Sequence, residues 1–354
     1  GLLTEAPLQN SPVSIWRDVV GTPGSSVQLP APVVDVAVDP LGHRAYLALA
    51  GRTEVSVLDL GSMTFQTPVA VPVPPSALDV APQGQTLVVA LPRVEQVPVT
   101  HALGILNLAA PNPLEVIPLP REPAEFGRGP SALRVTSRSE ALVVMSINGS
   151  GEAGYLFGYD LAARSFRGGG TLGLPDRMDN DTKLARSADG TRVLFYYGGS
   201  CCPTSGQLYD AVADDLLAVH DGVAWYGAPL SMTRVGDQTL IKSSLYGAAL
   251  QPVREYHPPG EGEGSALSES GVFAYFRVGG GFLRTRLADG VSLERFVLPE
   301  TPVRLVTIPG AVERVLALSA SAAYLTHIGS SSGVAARRFD PTISAVELYQ
   351  SVSR

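Results

Sequence analysis

Apolar residues run along this chain in short blocks, each cut off by a turn rich in glycine, proline or aspartate. Pro75–Leu91, PSALDVAPQGQTLVVAL, matches Pro130–Ser146, PSALRVTSRSEALVVMS, without a gap. Val34–Ala50 has the same form, as do Thr182–Tyr197 and Ala266–Phe276 and, more weakly, Met232–Ser243 and Val303–Ser319. Each reads as an apolar strand, a tight turn and a second strand, because the runs are too short and too β-branched for helices. The turns at Asp39-Pro40-Leu41-Gly42, Pro82-Gln83-Gly84 and Ala188-Asp189-Gly190 supply the fixed or positive φ that a chain reversal needs.

A third strand follows in EVSVLDL (Glu54–Leu60), LGILNL (Leu103–Leu108) and YLFGYDL (Tyr155–Leu161). A fourth precedes a proline-rich link in TPVAVP, LEVIPLP, GGGTLGLP and RFVLP. Repeats of roughly 40–50 residues with four strands each are the signature of propeller blades. The pattern predicts an all-β, seven-bladed β-propeller of four-stranded antiparallel blades, at about 31–74, 75–122, 130–175, 180–228, 229–259, 263–299 and 301–345. Six blades is the alternative count, since the fifth unit is the faintest. Residues 1–30 form an N-terminal segment and 346–354 a tail. Either Ser25–Pro30 from the N-terminal side or ISAVELY near the C-terminus is expected to complete the last blade.

The residues V-x-V-x-P-x-G-x-x-x-Y-L-A and then V-S-V-L-D-L, within Val33–Leu60, resemble the YVTN-type bacterial propellers, which share a fold with lactonase-like propellers. The resemblance covers most of the chain as a repeat pattern. It implies the ring fold and, through the residues that build blades, very little about activity.

Composition narrows the function classes. Of the 354 residues, 45% are hydrophobic and 17% charged, which supplies a core and argues against disorder. The formal net charge of −7, with no basic run, argues against a nucleic-acid partner. The apolar runs are far shorter than the roughly 20 residues of a membrane-crossing helix, so no transmembrane segment is expected in this chain. An extracytoplasmic location, in the periplasm or at the cell surface, is expected, reached by a signal or lipoprotein anchor outside this chain.

Loops that join fourth to first and second to third strands share one face of a propeller, and that face is where a ligand is expected. GGSCCPTSG (Gly198–Gly206) lies there and holds both cysteines, Cys201 and Cys202. Free thiols, an interchain bridge and a vicinal disulfide are the three readings. The third is preferred, since glycines and a proline flank the pair and no other cysteine exists. Adjacent Cα atoms lie about 3.8 Å apart, below the usual disulfide span of about 4.4–6.8 Å, so such a ring is strained. Tyr196, Tyr197 and Tyr209 flank this loop and are ligand-contact candidates. Arg128, in REPAEFGRGP, is a further rim candidate. Asp176, Asp179 and Asp181, with Asn180, offer hard oxygen ligands to Ca²⁺, against the plainer reading of a solvated acidic turn. No cofactor is required by this reading. The five histidines are scattered over different blades, His43 in an opposite-face turn, and no zinc, nucleophile-elbow or phosphate-loop motif occurs. Two functions follow as expectations. The first is a binding or scaffold module for a protein or small ligand on the face of the Cys201–Cys202 loop. The second is a lactonase-like hydrolase with a metal or a His/Arg/Glu set in the channel.

Overall fold

A computed structural model of the chain describes residues 16–19, 25–94, 100–110, 113–120, 127–147, 153–168, 177–179, 182–197, 205–221, 230–256, 258 and 265–328. Seven antiparallel sheets follow one another along it, and no helix occurs among the described residues. Blade 1 starts at Val33–Val38 and continues through Arg44–Leu49 and Glu54–Asp59 to an outer edge shared by Thr64–Phe65 and Val69–Ala70. The innermost strands of blades 2 to 7 are Ala77–Val80, Gly127–Val135, Lys183–Arg186, Leu230–Met232, Ser265–Leu267 and Arg304–Ile308. From blade 1 to blade 7 each innermost strand packs on the next. Blade 5 is the shortest, with three strands of three residues and one of four, which is why its repeat was faint. The count is seven, not six.

The alternation of strand side chains builds the core. Along Thr86–Val94, Leu87, Val89 and Leu91 pack toward blade 1, while Val88 and Ala90 pack toward blade 3. A strand with both faces covered must be apolar at successive positions, which explains the unbroken run TLVVAL. Each of the seven blade interfaces holds one cluster of this kind. Full burial of one such aliphatic side chain stabilises by about 1.5–3 kcal/mol, so these clusters dominate the fold. The outer strands are wetter: Asp215–Asp221 alternates exposed and half-buried positions.

Ring closure comes from the start of the chain. Ser25–Gln28 pairs antiparallel with Ala322–His327 as the fourth strand of blade 7, and Leu29 is buried between blades 7 and 1. Arg17–Val19 adds a fifth strand to blade 6, parallel to Ser292–Val297. The alternative closing segment, ISAVELY, lies outside the described residues.

Candidate binding site

The innermost strands carry a belt of charge between the two ends of the channel. These strands are sheet edges, so their axis-facing N–H groups lack a ladder partner and need an acceptor. Side chains from the preceding blade supply it. Asp35 Oδ2 accepts from Leu78 N at 3.1 Å, Asp79 Oδ2 from Val135 N at 2.8 Å, and Ser231 Oγ from Leu267 N at 2.9 Å. The two buried carboxylates are in turn neutralised by guanidinium groups. Arg304 Nη1 lies 2.9 Å from Asp35 Oδ1, and Arg134 Nη1 lies 3.5 Å from Asp35 Oδ2. Arg186 Nε lies 2.9 Å from Asp79 Oδ2, and its Nη2 lies 3.3 Å from Oδ1. Blades 7, 1 and 3 are thus tied at Asp35, and blades 2 and 4 at Asp79.

Burial pushes the Asp35 carboxyl up, but Arg134, Arg304 and the N–H groups of Leu78 and Val36 outweigh it, so it stays below the ordinary carboxylate value. Burial pulls Arg134 down, and Asp35 and Asp79 more than restore it. Both groups are therefore charged at neutral pH. Among the described residues, Arg304 engages only its Nη1, and Arg134 donates only from Nη1, to Asp35 and to the Leu133 carbonyl. A guanidinium carries five N–H donors, so most of theirs are left over.

Below this belt the channel widens into a cavity of about 880 Å³. Its rim is made of first-to-second-strand turns, represented by Pro40, Pro82, Ala188, Arg234, Glu269 and Pro309. On the other side, at the start of the innermost strands, the recess holds about 220 Å³. Among the described residues the larger cavity is thus at the opposite end from the face where a ligand was expected. The turns of the large mouth are stitched to one another. Gln83 Nε2 donates to Ser137 O at 2.9 Å, Ser137 N to Gly190 O at 2.8 Å, Asp189 N to Arg234 O at 3.0 Å, and Arg234 N to Glu269 O at 3.1 Å. Arg314 Nη2 donates to both Gly42 O and Pro309 O at 3.0 Å, closing blade 7 onto blade 1. Hydrogen bonds of this kind make a rigid, preformed mouth. Glu269 stands half-buried in it, and burial raises its carboxyl despite the nearby Arg234.

The residues singled out from sequence fall elsewhere. Cys201, Cys202, Asp176 and Asp181 lie outside the described residues. Arg128, Tyr197 and Asp179 are placed by backbone only, on strands Gly127–Val135, Arg192–Tyr197 and Arg177–Asp179. The last of these pairs with Ala153–Asp160, so Asp179 belongs to an outer strand of blade 3 rather than to a loop entering blade 4. Tyr196 is buried between blades 4 and 5. Tyr209 is buried between blades 3 and 4, with its hydroxyl donating to Asp214. Both rings are occupied by packing and are not at a surface. No group of three or more His, Cys, Asp or Glu side chains is arranged to hold a metal among the described residues.

The ring is similar to a solved structure, Kuenenia stuttgartiensis hydrazine synthase. The TM-score is 0.62 at 13% identity, over 88% of this chain and 99% of that one. At that identity the likeness shows the fold alone. No protein-family model matches the sequence, and no curated protein does, so the YVTN-type resemblance rests on the blade motifs.

The belt was missed because the runs VVDVAV, SALDVA, SALRVT and KLARSA were read for their apolar content. The available signal was a charged residue set among apolar neighbours in four innermost strands: Asp35, Asp79, Arg134 and Arg186. A lone charge inside an otherwise buried strand needs a partner.

Proposed function

We propose that the protein is a binding module whose occupant enters the wide mouth on the first-to-second-turn face. The observation that supports this reading is a preformed cavity of about 880 Å³ floored by guanidinium donors not engaged among the described residues. That volume falls in the range of about 300–1,000 Å³ typical of ligand sites. A rim held by its own hydrogen bonds pays little ordering entropy on binding. Among the described residues the recess at the other end of the innermost strands is smaller, about 220 Å³.

Thr307, half-buried on the innermost strand of blade 7, lines the mouth, and Thr307→Trp plugs it. Thermal-shift screening of an anionic small-molecule and peptide collection is expected to give stabilising compounds whose effect disappears in this variant. Shifts that survive the plug, or no shifts at all, refute the reading. We also propose an extracytoplasmic location, supported by the adjacent cysteines and the blade-motif resemblance. Ca²⁺ at the Asp176–Asp181 run is a secondary proposal, and adding and chelating Ca²⁺ during the same melts tests it. The lactonase-like alternative is tested by lactone hydrolysis with and without Ca²⁺; turnover abolished by Thr307→Trp would replace the binding reading.

A further inference from the structure

The mouth is not chemically uniform. On blades 5, 6, 7 and 1 its turns carry exposed aliphatic side chains: Val235 is 53% exposed, Val272 46%, Val312 55% and Leu41 71%. On blades 2, 3 and 4 the corresponding turns carry Gln83, Ser137 and Asp189. Blades 5, 6, 7 and 1 are consecutive in the ring, so the aliphatic positions share one arc of the rim. Single exposed aliphatic residues are ordinary on a protein surface, but one on each of four consecutive turns beside a cavity points to an interaction site.

Of the donor-rich side chains, Arg304 and Arg234 stand on the blades of that arc, while Arg134 stands on blade 3. Arg304 belongs to blade 7 and Arg234 to blade 5. Arg234 is exposed; its guanidinium makes no hydrogen bond or ion pair among the described residues, and the half-buried Glu269 is its nearby countercharge. The two carboxylates beneath, Asp35 and Asp79, are already satisfied by backbone N–H groups and by Arg304, Arg134 and Arg186. Glu269 is the remaining carboxylate of the mouth and is offset by Arg234, so the unmet groups of the floor are donors that call for acceptors.

Size decides the kind of occupant. Of the four aliphatic residues only Leu41 lines the cavity; Val235, Val272 and Val312 stand on the turns outside it. A small molecule filling the cavity would leave these three in water. A polypeptide that dips into the mouth covers them with its flanks and offers carbonyl and carboxylate acceptors at its tip.

From this the geometry points to a docking site for a partner protein's loop or tail, bearing an Asp or Glu side chain flanked by large aliphatic residues. The carboxylate meets the guanidinium groups of Arg304 and Arg234, and the aliphatic flanks lie on the Val235–Val272–Val312–Leu41 arc. This rests on the binding reading of the same mouth.

The test uses the whole chain on an array of acetylated, amidated twelve-residue peptides with a central Leu-Asp-Leu. Matched peptides carry Leu-Asn-Leu, Leu-Lys-Leu or Ser-Asp-Ser at the same place. The Leu-Asp-Leu set is expected to bind at least tenfold tighter than any matched set. Arg234→Glu and Leu41→Ser, both at exposed positions that leave the core untouched, are each expected to weaken it at least fivefold. Arg304→Gln should do the same, but it also removes a partner of Asp35, so the two exposed variants decide. Equal binding of the Asn or Ser-flanked sets, indifference to Arg234→Glu and Leu41→Ser, or a silent array each overturns the proposal. A silent array together with small-molecule shifts sensitive to Thr307→Trp overturns the peptide assignment alone. Silence in both experiments overturns the binding reading as well.

Discussion

Asp79→Ala tests whether the charge belt holds the ring together. The carboxylate is 5% exposed and accepts from Val80 N at 3.0 Å, Val135 N at 2.8 Å and Arg186 Nε at 2.9 Å. Removing one partner of a buried ion pair costs about 3–5 kcal/mol. Arg186 keeps the carbonyls of Val80, Ser187 and Ala188, which puts the charge contribution at the low end. The orphaned Val135 N–H adds about 1–3 kcal/mol, since a buried donor is left unmade. The two overlap, and a total of about 4 kcal/mol is expected. At about 2.1 cal/mol/K per residue, a chain of 354 residues has an unfolding entropy of about 0.7 kcal/mol/K. The midpoint should then fall by about 5–6 °C. The assay is calorimetry on wild type, Asp79→Ala, Arg186→Met and the double variant. The cycle should show a coupling of about 2 kcal/mol, because the double variant leaves no unpaired charge. A midpoint within about 1 °C of wild type (under ~1 kcal/mol) would refute the idea that Asp79 ties blade 2 to blades 3 and 4.

Three further outcomes follow. Gly42 and Gly51 have nearly the same φ, +67° and +70°, but a Cβ at Gly42 would lie 2.2 Å from Pro309 O, whereas nothing lies within 4 Å of one at Gly51. Gly51→Ala should cost about 1 kcal/mol from its backbone conformation, and Gly42→Ala about 1–3 kcal/mol more from overpacking; equal denaturant midpoints would show that the blade 7–blade 1 contact is loose. Arg167 and Tyr209 hydrogen-bond the Asp214 carboxylate and hold it down at about 2, below its unfolded value of about 3.9. Its stabilisation is therefore complete above about pH 5 and is lost as pH falls through about 2. The melting gap between wild type and Asp214→Asn should close over that window, and a gap unchanged at pH 2 would contradict it. Alkylation of the native, unreduced protein should leave Cys201 and Cys202 unmodified, with two adducts per chain appearing after reduction; two adducts before reduction would sink the vicinal disulfide.

The sequence alone determined the blades. Period-two apolar runs, cut at regular intervals by turns that need Gly42, Gly84 and Gly190 at positive φ, specify strand pairs by local physics. Repeating one such unit leaves stacking around an axis as the way to cover both faces of each sheet. Local pattern also carried the third strands, whose expected ranges overlap Glu54–Asp59, Thr100–Asn107 and Ala153–Asp160. What only the tertiary structure decided was everything that depends on neighbours across the ring. Tyr196 and Tyr209 looked like loop-flanking contacts, yet the stacking of the next blade buries both. Asp35 and Arg304 are separated by 269 positions and meet only because Ser25–Gln28, paired with Ala322–His327 at the outer edge of blade 7, closes the circle and sets that blade's innermost strand next to blade 1. The wide mouth, its stitched rim and its apolar arc exist only once seven similar turns stand side by side. A strand's periodicity reports which face is buried, but not which distant group it is buried against.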